Sequence, residues 1–233
     1  MSRNVPTPQN SIVAYFDIIG FSDIIKNVPS SWKPKPCGPA GNKLNAVMAA
    51  VLETWEVLST RLETPMAHLY LFSDCGFVVY PLKGPKDKER QLTRCVGDLV
   101  WLADEFLKRD FYVRGGVSVG PVARQSNLLV GEAVVEAVRF EQLCPGPFIL
   151  FPAKHIYALS SERKFIQDVG PLLKVPLKRG KGCMLALVIH PSDKGAFVAG
   201  IEKRAEHYLV YGPAEFAEFW DETHTLLNGL RTI

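Results

Sequence analysis

Residues 11–19, SIVAYFDII, form a short apolar run broken by one acid, Asp17. The run falls well short of the roughly 18 apolar residues that a membrane span takes. It reads instead as a buried strand, closed by Gly20. A carboxylate at the end of such a strand is expensive unless something neutralises it, because burial strips its hydration. A fold for this chain must therefore seat the strand in a core and give Asp17 a reason to be there.

The rest of the chain supplies that core. After a Pro/Gly-rich stretch at 29–41, expected as a surface loop, apolar residues recur with helical period at Leu44, Val47, Val51, Leu52, Trp55 and Leu58. Residues 68–80 (HLYLFSDCGFVVY) predict two strands about a tight turn at Ser73-Asp74-Cys75-Gly76. A charged loop is expected at 83–89 and a second amphipathic helix from Leu92 to Leu107. Residues 111–122 (FYVRGGVSVGPV) predict a glycine-rich strand and its return, 132–143 a third helix, 148–151 and 184–189 short strands. The segment after His190 reads as largely helical, ending in an aromatic-rich helix around 216–227. Strand, helix, hairpin, helix, strand, helix, strand favours an α+β sheet with helices on one face.

Composition narrows the function classes. The chain has 233 residues, 47% hydrophobic and 22% charged, which suits one large domain. A net charge of +3 forces neither a nucleic-acid nor a membrane partner, and suits a small anionic substrate. Five cysteines without a CxxC pair suggest a reducing compartment rather than disulfides or a zinc site. The first ten residues, MSRNVPTPQN, read as a flexible tail and not a signal peptide, so a soluble, cytoplasmic protein is expected.

Asp74, at the tip of an apolar hairpin, is the second acid out of place. Aspartate is common in turns, which would account for it alone. If the hairpin and the first strand are neighbours, however, Asp17 and Asp74 converge and repel. A divalent ion with hard oxygen ligands would relieve that repulsion and leave coordination positions for phosphate.

Four motifs in order resemble a known family. FDIIGF (16–21) resembles the first metal-binding motif of class III adenylate and guanylate cyclases, and LFSDCGFVVY (71–80) the second. VRGGVSVGPV (113–122) is similar to the family's Arg-x-Gly-Ile strand, and VGEAVVEAVRFE (130–141) to its Gly-x-x-Val-Asn-x-Ala-x-Arg helix. The resemblance covers residues 12–150. It implies a ferredoxin-like βαββαβ sandwich over 11–190, with extra C-terminal helical elements at 191–233 packed on the same domain. It also implies two divalent ions, Mn2+ or Mg2+, held by Asp17, Asp74 and the backbone carbonyl of Ile18. Arg139 takes the place of the transition-state arginine. Lys178, Arg179 and Lys181 lie where a phosphate-binding lysine is expected, with Lys178 the catalytic candidate. The active site would be shared across a homodimer.

The departures concern the base. Tyr70 stands where adenylate cyclases carry an adenine-reading lysine, Leu128 and Asn127 stand at its partner aspartate, and Val135 replaces the transition-state asparagine. Tyr70 and Asn127 are therefore the candidate base readers. The compact DIIGFSDII segment and FSD hairpin resemble the pyrimidine cyclases of bacterial Pycsar antiphage systems. That resemblance implies cyclic UMP, or cyclic CMP, made as a second messenger for a separate effector protein. An adenylate cyclase with an unusual base pocket and a non-catalytic nucleotide-binding module are the competing readings.

Overall fold

The computed structural model describes residues 6–21, 43–178, 182–211 and 223. The proline-rich stretch at 29–41, the helix expected around 216–227, and Arg179 and Lys181 lie outside the described residues, with Thr223 alone described in that helix.

The strand predicted at 11–19 forms as β1 (Gln9–Ile18). It is followed by α1 (Lys43–Leu62), β2 (His68–Phe72), β3 (Cys75–Pro81), α2 (Asp87–Leu107) and β4 (Val113–Gln125). These six elements are a βαββαβ unit whose strands lie in the order β2-β3-β1-β4, all neighbours antiparallel. The sheet continues through β6 (Ile149–Pro152) and β8 (Cys183–Ile189) to β7 (Leu172–Pro176), while β5 (Leu128–Val130) pairs only with β4. Among the described residues no helix is long and apolar enough to cross a membrane.

Alternation along β1 sorts the core into two layers. Ile12, Ala14, Phe16 and Ile18 face α1 and α2, meeting Val51, Leu58, Leu99 and Phe106. Val13 and Tyr15 face the opposite way and pack with Ala133 and Ala137 of α3 (Glu132–Leu143). Helices therefore cover both faces, not one. The short helices α4 (Ala153–Leu159) and α5 (Arg163–Val169) add Ile156, Leu159 and Ile166 to the larger core. After β8, α6 (Lys194–Tyr211) closes a smaller cluster in which Phe197, Val198 and Ile201 meet Ile19 and Tyr112.

The glycine-rich segment departs from expectation. Residues 113–125 form one continuous strand, and the return comes later, at Ser126-Asn127, where Ser126 has φ 49°. The glycines serve close approach instead of turning. A Cβ on Gly116 would run into the Ala137 carbonyl and the Phe140 side chain of α3. Gly116→Ala is expected to destabilise the protein by about 1–3 kcal/mol through overpacking, read as a lower urea midpoint with an unchanged slope.

Candidate active site

Asp17 lies at the end of β1 on the α3 face of the sheet, flanked by Cys75 of β3 on one side and Arg114 of β4 on the other. The hairpin tip meets β1 there: the Ile18 amide donates to the Asp74 carbonyl at 2.9 Å. Ser73, with φ 44°, makes the turn that puts Asp74 beside the strand end. The sheet thus brings Asp17, at the end of β1, beside Asp74 in the β2–β3 turn.

The electrostatics are those of a crowded anionic corner. Burial pushes the Asp17 carboxyl up to about 6; Arg114 opposes the rise, and Glu141 and Asp74 add to it. Arg114 bridges two carboxylates, Asp17 at 3.5 Å and Glu141 of α3 in a closer ion pair. Glu141 is 5% exposed. Two acids thus share one guanidinium with a third, Asp74, close by, and a further cation would relieve the excess charge. The donors fit a magnesium or manganese ion, which typically takes one or two carboxylates and completes its shell with water and phosphate oxygens. Asp17, Asp74 and the Ile18 carbonyl would hold it.

A second feature opens beside β2. A cleft of about 620 Å3 is lined by Tyr70 and Phe72, by Arg124 near the end of β4, and by Ser126 and Asn127 of the β4–β5 turn. Tyr70 pairs across the sheet with Phe77, and Phe77 with Tyr15, so the three aromatics form a row on Asp17's face. The Tyr15 and Phe77 rings are 4.8 Å apart. This row is two residues, about 7 Å, along the strands from that of Phe72, Cys75 and Asp17. Glu63 and His68, also in the cleft, are hydrogen-bonded, Oε1 to Nδ1 at 3.1 Å.

The remaining candidates are spread out. Arg139 is exposed on α3, on the same outer stripe as Val135, which is 71% exposed, and makes no ion pair among the described residues. Lys178 lies at the β7–β8 connection, where the Leu177 amide bonds the Gly182 carbonyl. The pairings Asp17–Arg114, Gly115–Ile149 and Ile149–Ile189 put Asp17 nearly level with the last residue of β8. The connection precedes the first residue of β8, so it lies about 20 Å along the sheet and about 14 Å across it from Asp17. One chain does not bring Lys178 to the aspartates.

No family model and no curated protein matches the sequence. Solved structures do. The catalytic core of a rhodopsin-guanylyl cyclase with converted specificity, in complex with ATPαS, superposes with a TM-score of 0.52 at 17% identity, covering 81% of this chain and 98% of that one. The chain has the fold of a class III cyclase catalytic domain. An adenylate/guanylate cyclase/hydrolase from Silicibacter pomeroyi is also similar, with a TM-score of 0.44 at 12% identity over 79% of this chain and 98% of that one. So are adenylate cyclases from Trypanosoma brucei in their monomeric state, with a TM-score of 0.44 at 11% identity over 79% of this chain and 90% of that one.

Sequence reasoning did not single out Arg114, Glu141 or Arg124. The first two sit inside the motif segments 113–122 and 130–141, but their meeting depends on strand register and helix placement. Arg124 joins the cleft only because β4 runs past the point where a return was expected.

Proposed function

We propose that this protein is a nucleotide cyclase that converts a pyrimidine triphosphate, UTP ahead of CTP, to the 3′,5′-cyclic monophosphate and pyrophosphate. The observation that carries the proposal is the convergence of Asp17 and Asp74 at one corner of a cyclase-type sheet. Divalent ions held there would lower the pKa of the ribose 3′-hydroxyl and neutralise the triphosphate. The protein's own part is placement. Asp17, Asp74 and the Ile18 carbonyl fix the phosphate end, while Arg139 offers positive charge to the transition state in which the 3′-oxygen joins the α-phosphorus.

The site is completed by a second copy of the chain. Lys178 is too far from Asp17 within one chain, and Arg139 faces outward from α3. In a two-fold dimer each chain gives its aspartates to one site and its Arg139 and basic β7–β8 connection, including Arg179 and Lys181, to the other.

The cleft between β2 and the β4–β5 turn is the base site in this reading. Tyr70 gives a ring for stacking and a hydroxyl for one hydrogen bond, and Asn127 on the opposite wall gives a donor and an acceptor. A tyrosine fills more of the slot than a lysine stem and favours the smaller bases. Product would act as a second messenger, on a separate effector, in antiphage defence; the sequence likeness to pyrimidine cyclases supports that role.

Incubation with ATP, GTP, CTP and UTP in turn, with Mn2+, tests the activity. Cyclic UMP as the main product is expected. Dominant cyclic AMP overturns the base assignment, and no cyclic product from any of the four overturns the activity. Tyr70→Phe should lower turnover several-fold, the loss of about 0.5–1.5 kcal/mol from one neutral hydrogen bond. Tyr70→Ala should lower it further and admit purines. Unchanged rates and preferences in both variants would make Tyr70 a packing residue.

A further inference from the structure

Beneath α3 lies a polar cluster that the proposed chemistry does not use. Glu136, one turn before Arg139, accepts a hydrogen bond from Ser118 of β4 at 2.7 Å and pairs with His155 of α4 at 3.0 Å. Lys154 closes on its other carboxylate oxygen. Ser118 is fully buried and His155 is 8% exposed. Phe140, on the next turn of α3, carries the His155 ring at 5.7 Å and the Lys154 ammonium at 5.2 Å.

Apart from the Glu141–Arg114 pair at the active-site end of the helix, the rest of the α3 contact is small and apolar. The helix rests on the sheet through Ala133 and Ala137, over Gly116 and Gly120. Small apolar surfaces bury area but are non-directional, so they set the height of a helix better than its rotation or slide. A carboxylate held by three donors from two other elements is directional, and a buried polar set earns its place when it selects one arrangement. Burial pushes the His155 imidazole down, against Glu136; burial alone would raise the Glu136 carboxyl, but Lys154 and Ser118 hold it below the usual range. At neutral pH the set is a carboxylate facing a neutral imidazole, a hydroxyl and an ammonium.

We propose that Glu136, clamped by Ser118, His155 and Lys154, is a positioning residue that fixes the rotation of α3 and so aims Arg139 at the partner chain's aspartates. The inference rests on the shared-site reading above. It gives Glu136 a direction: a change there harms the site that receives its chain's Arg139, and spares the site that receives its chain's Asp17 and Asp74.

Glu136→Gln keeps the shape and turns one acceptor into a donor facing the clamp. In the homodimer it is expected to lower kcat about tenfold with little change in KM. Purified heterodimers with two affinity tags then separate positioning from a general weakening of the subunit. Paired with Asp74→Ala, the Glu136→Gln chain contributes to one intact site, and about half of wild-type activity is expected. Paired with Arg139→Ala, its Arg139 serves the only complete site, and about a twentieth is expected. Equal activity in the two heterodimers overturns the positioning role. Ser118→Ala, which removes one clamp bond without a charge change, should show the same asymmetry and stands in if Glu136→Gln does not fold. The pair Asp74→Ala with Arg139→Ala tests the parent reading alone: inactivity there removes the shared site, and the inference with it.

Discussion

Asp17→Ala and Asp74→Ala are each expected to abolish cyclic nucleotide formation while the protein stays folded. The expected loss is at least about 10^3-fold, the scale of removing several kcal/mol of charge stabilisation from a phosphoryl-transfer transition state. The fold survives because neither side chain is a core contact. Removing Asp17 leaves Arg114 paired with Glu141, so no buried charge is orphaned. Ionised Asp17 is in fact a burden on the metal-free fold. Its carboxyl is raised to about 6 from an unfolded value near 3.8, first by burial, with Arg114 opposing and Glu141 and Asp74 assisting. The folded state therefore holds the proton more tightly, and stability from this group is full below about pH 4 and is lost as pH rises through about 6. Thermal melts in a chelator should show that loss in the wild type and not in Asp17→Asn. Conversely, Mn2+ should raise the melting temperature at pH 7.5, less so at pH 5, and not in either alanine variant. Activity retained by a soluble alanine variant would sink the assignment of these two acids.

The parts of this molecule that were legible in its sequence are those with strong local signals. β1, the β2–β3 hairpin, α1, α2 and α3 follow from apolar period and turn residues, within a few residues at their ends. α2 begins at Asp87, inside the charged loop expected at 83–89, because Asp87 and Glu89 suit a helix N-terminus. The segment 153–176 carries no such signal. It holds two seven-residue helices and a five-residue strand, too short for a period to declare itself. Glycine misled at 113–122 because Gly115, Gly116 and Gly120 look like a turn, whereas the first two are placed where backbone and α3 press close. Ala133 and Ala137 gave no hint that α3 covers the second face, since its apolar stripe is made of small residues. In the site, Asp17 and Asp74 could be picked out because acids are rare at such strand ends. Arg114 could not, since its partnership with Asp17 is a matter of register between strands almost a hundred residues apart.

Arg139→Ala is expected to cost about 10^2–10^3-fold in kcat, the usual scale for one charged donor to a transition state. Its recovery by a partner is the more telling result. Arg139 sits on the outer stripe of α3, and Asp74 at the tip of the β2–β3 hairpin. If one chain supplied both to the same site, a heterodimer of Asp74→Ala with Arg139→Ala would hold two sites, each with one defect, and would be nearly inactive. If the site is shared, both defects fall in one site and the other is intact, so about half of wild-type activity returns. The geometry favours the second outcome. The basic β7–β8 connection and Asp17 lie at opposite ends of one sheet and three strands apart, so a triphosphate on Asp17 cannot reach Lys178 of the same chain. A two-fold axis that brings α3 of one chain toward the hairpin of the other would close that gap twice. The measurement is kcat per heterodimer, with each single-variant homodimer as the floor. A heterodimer no more active than those homodimers would place Arg139 and Asp74 in the same chain's site, or Arg139 in none.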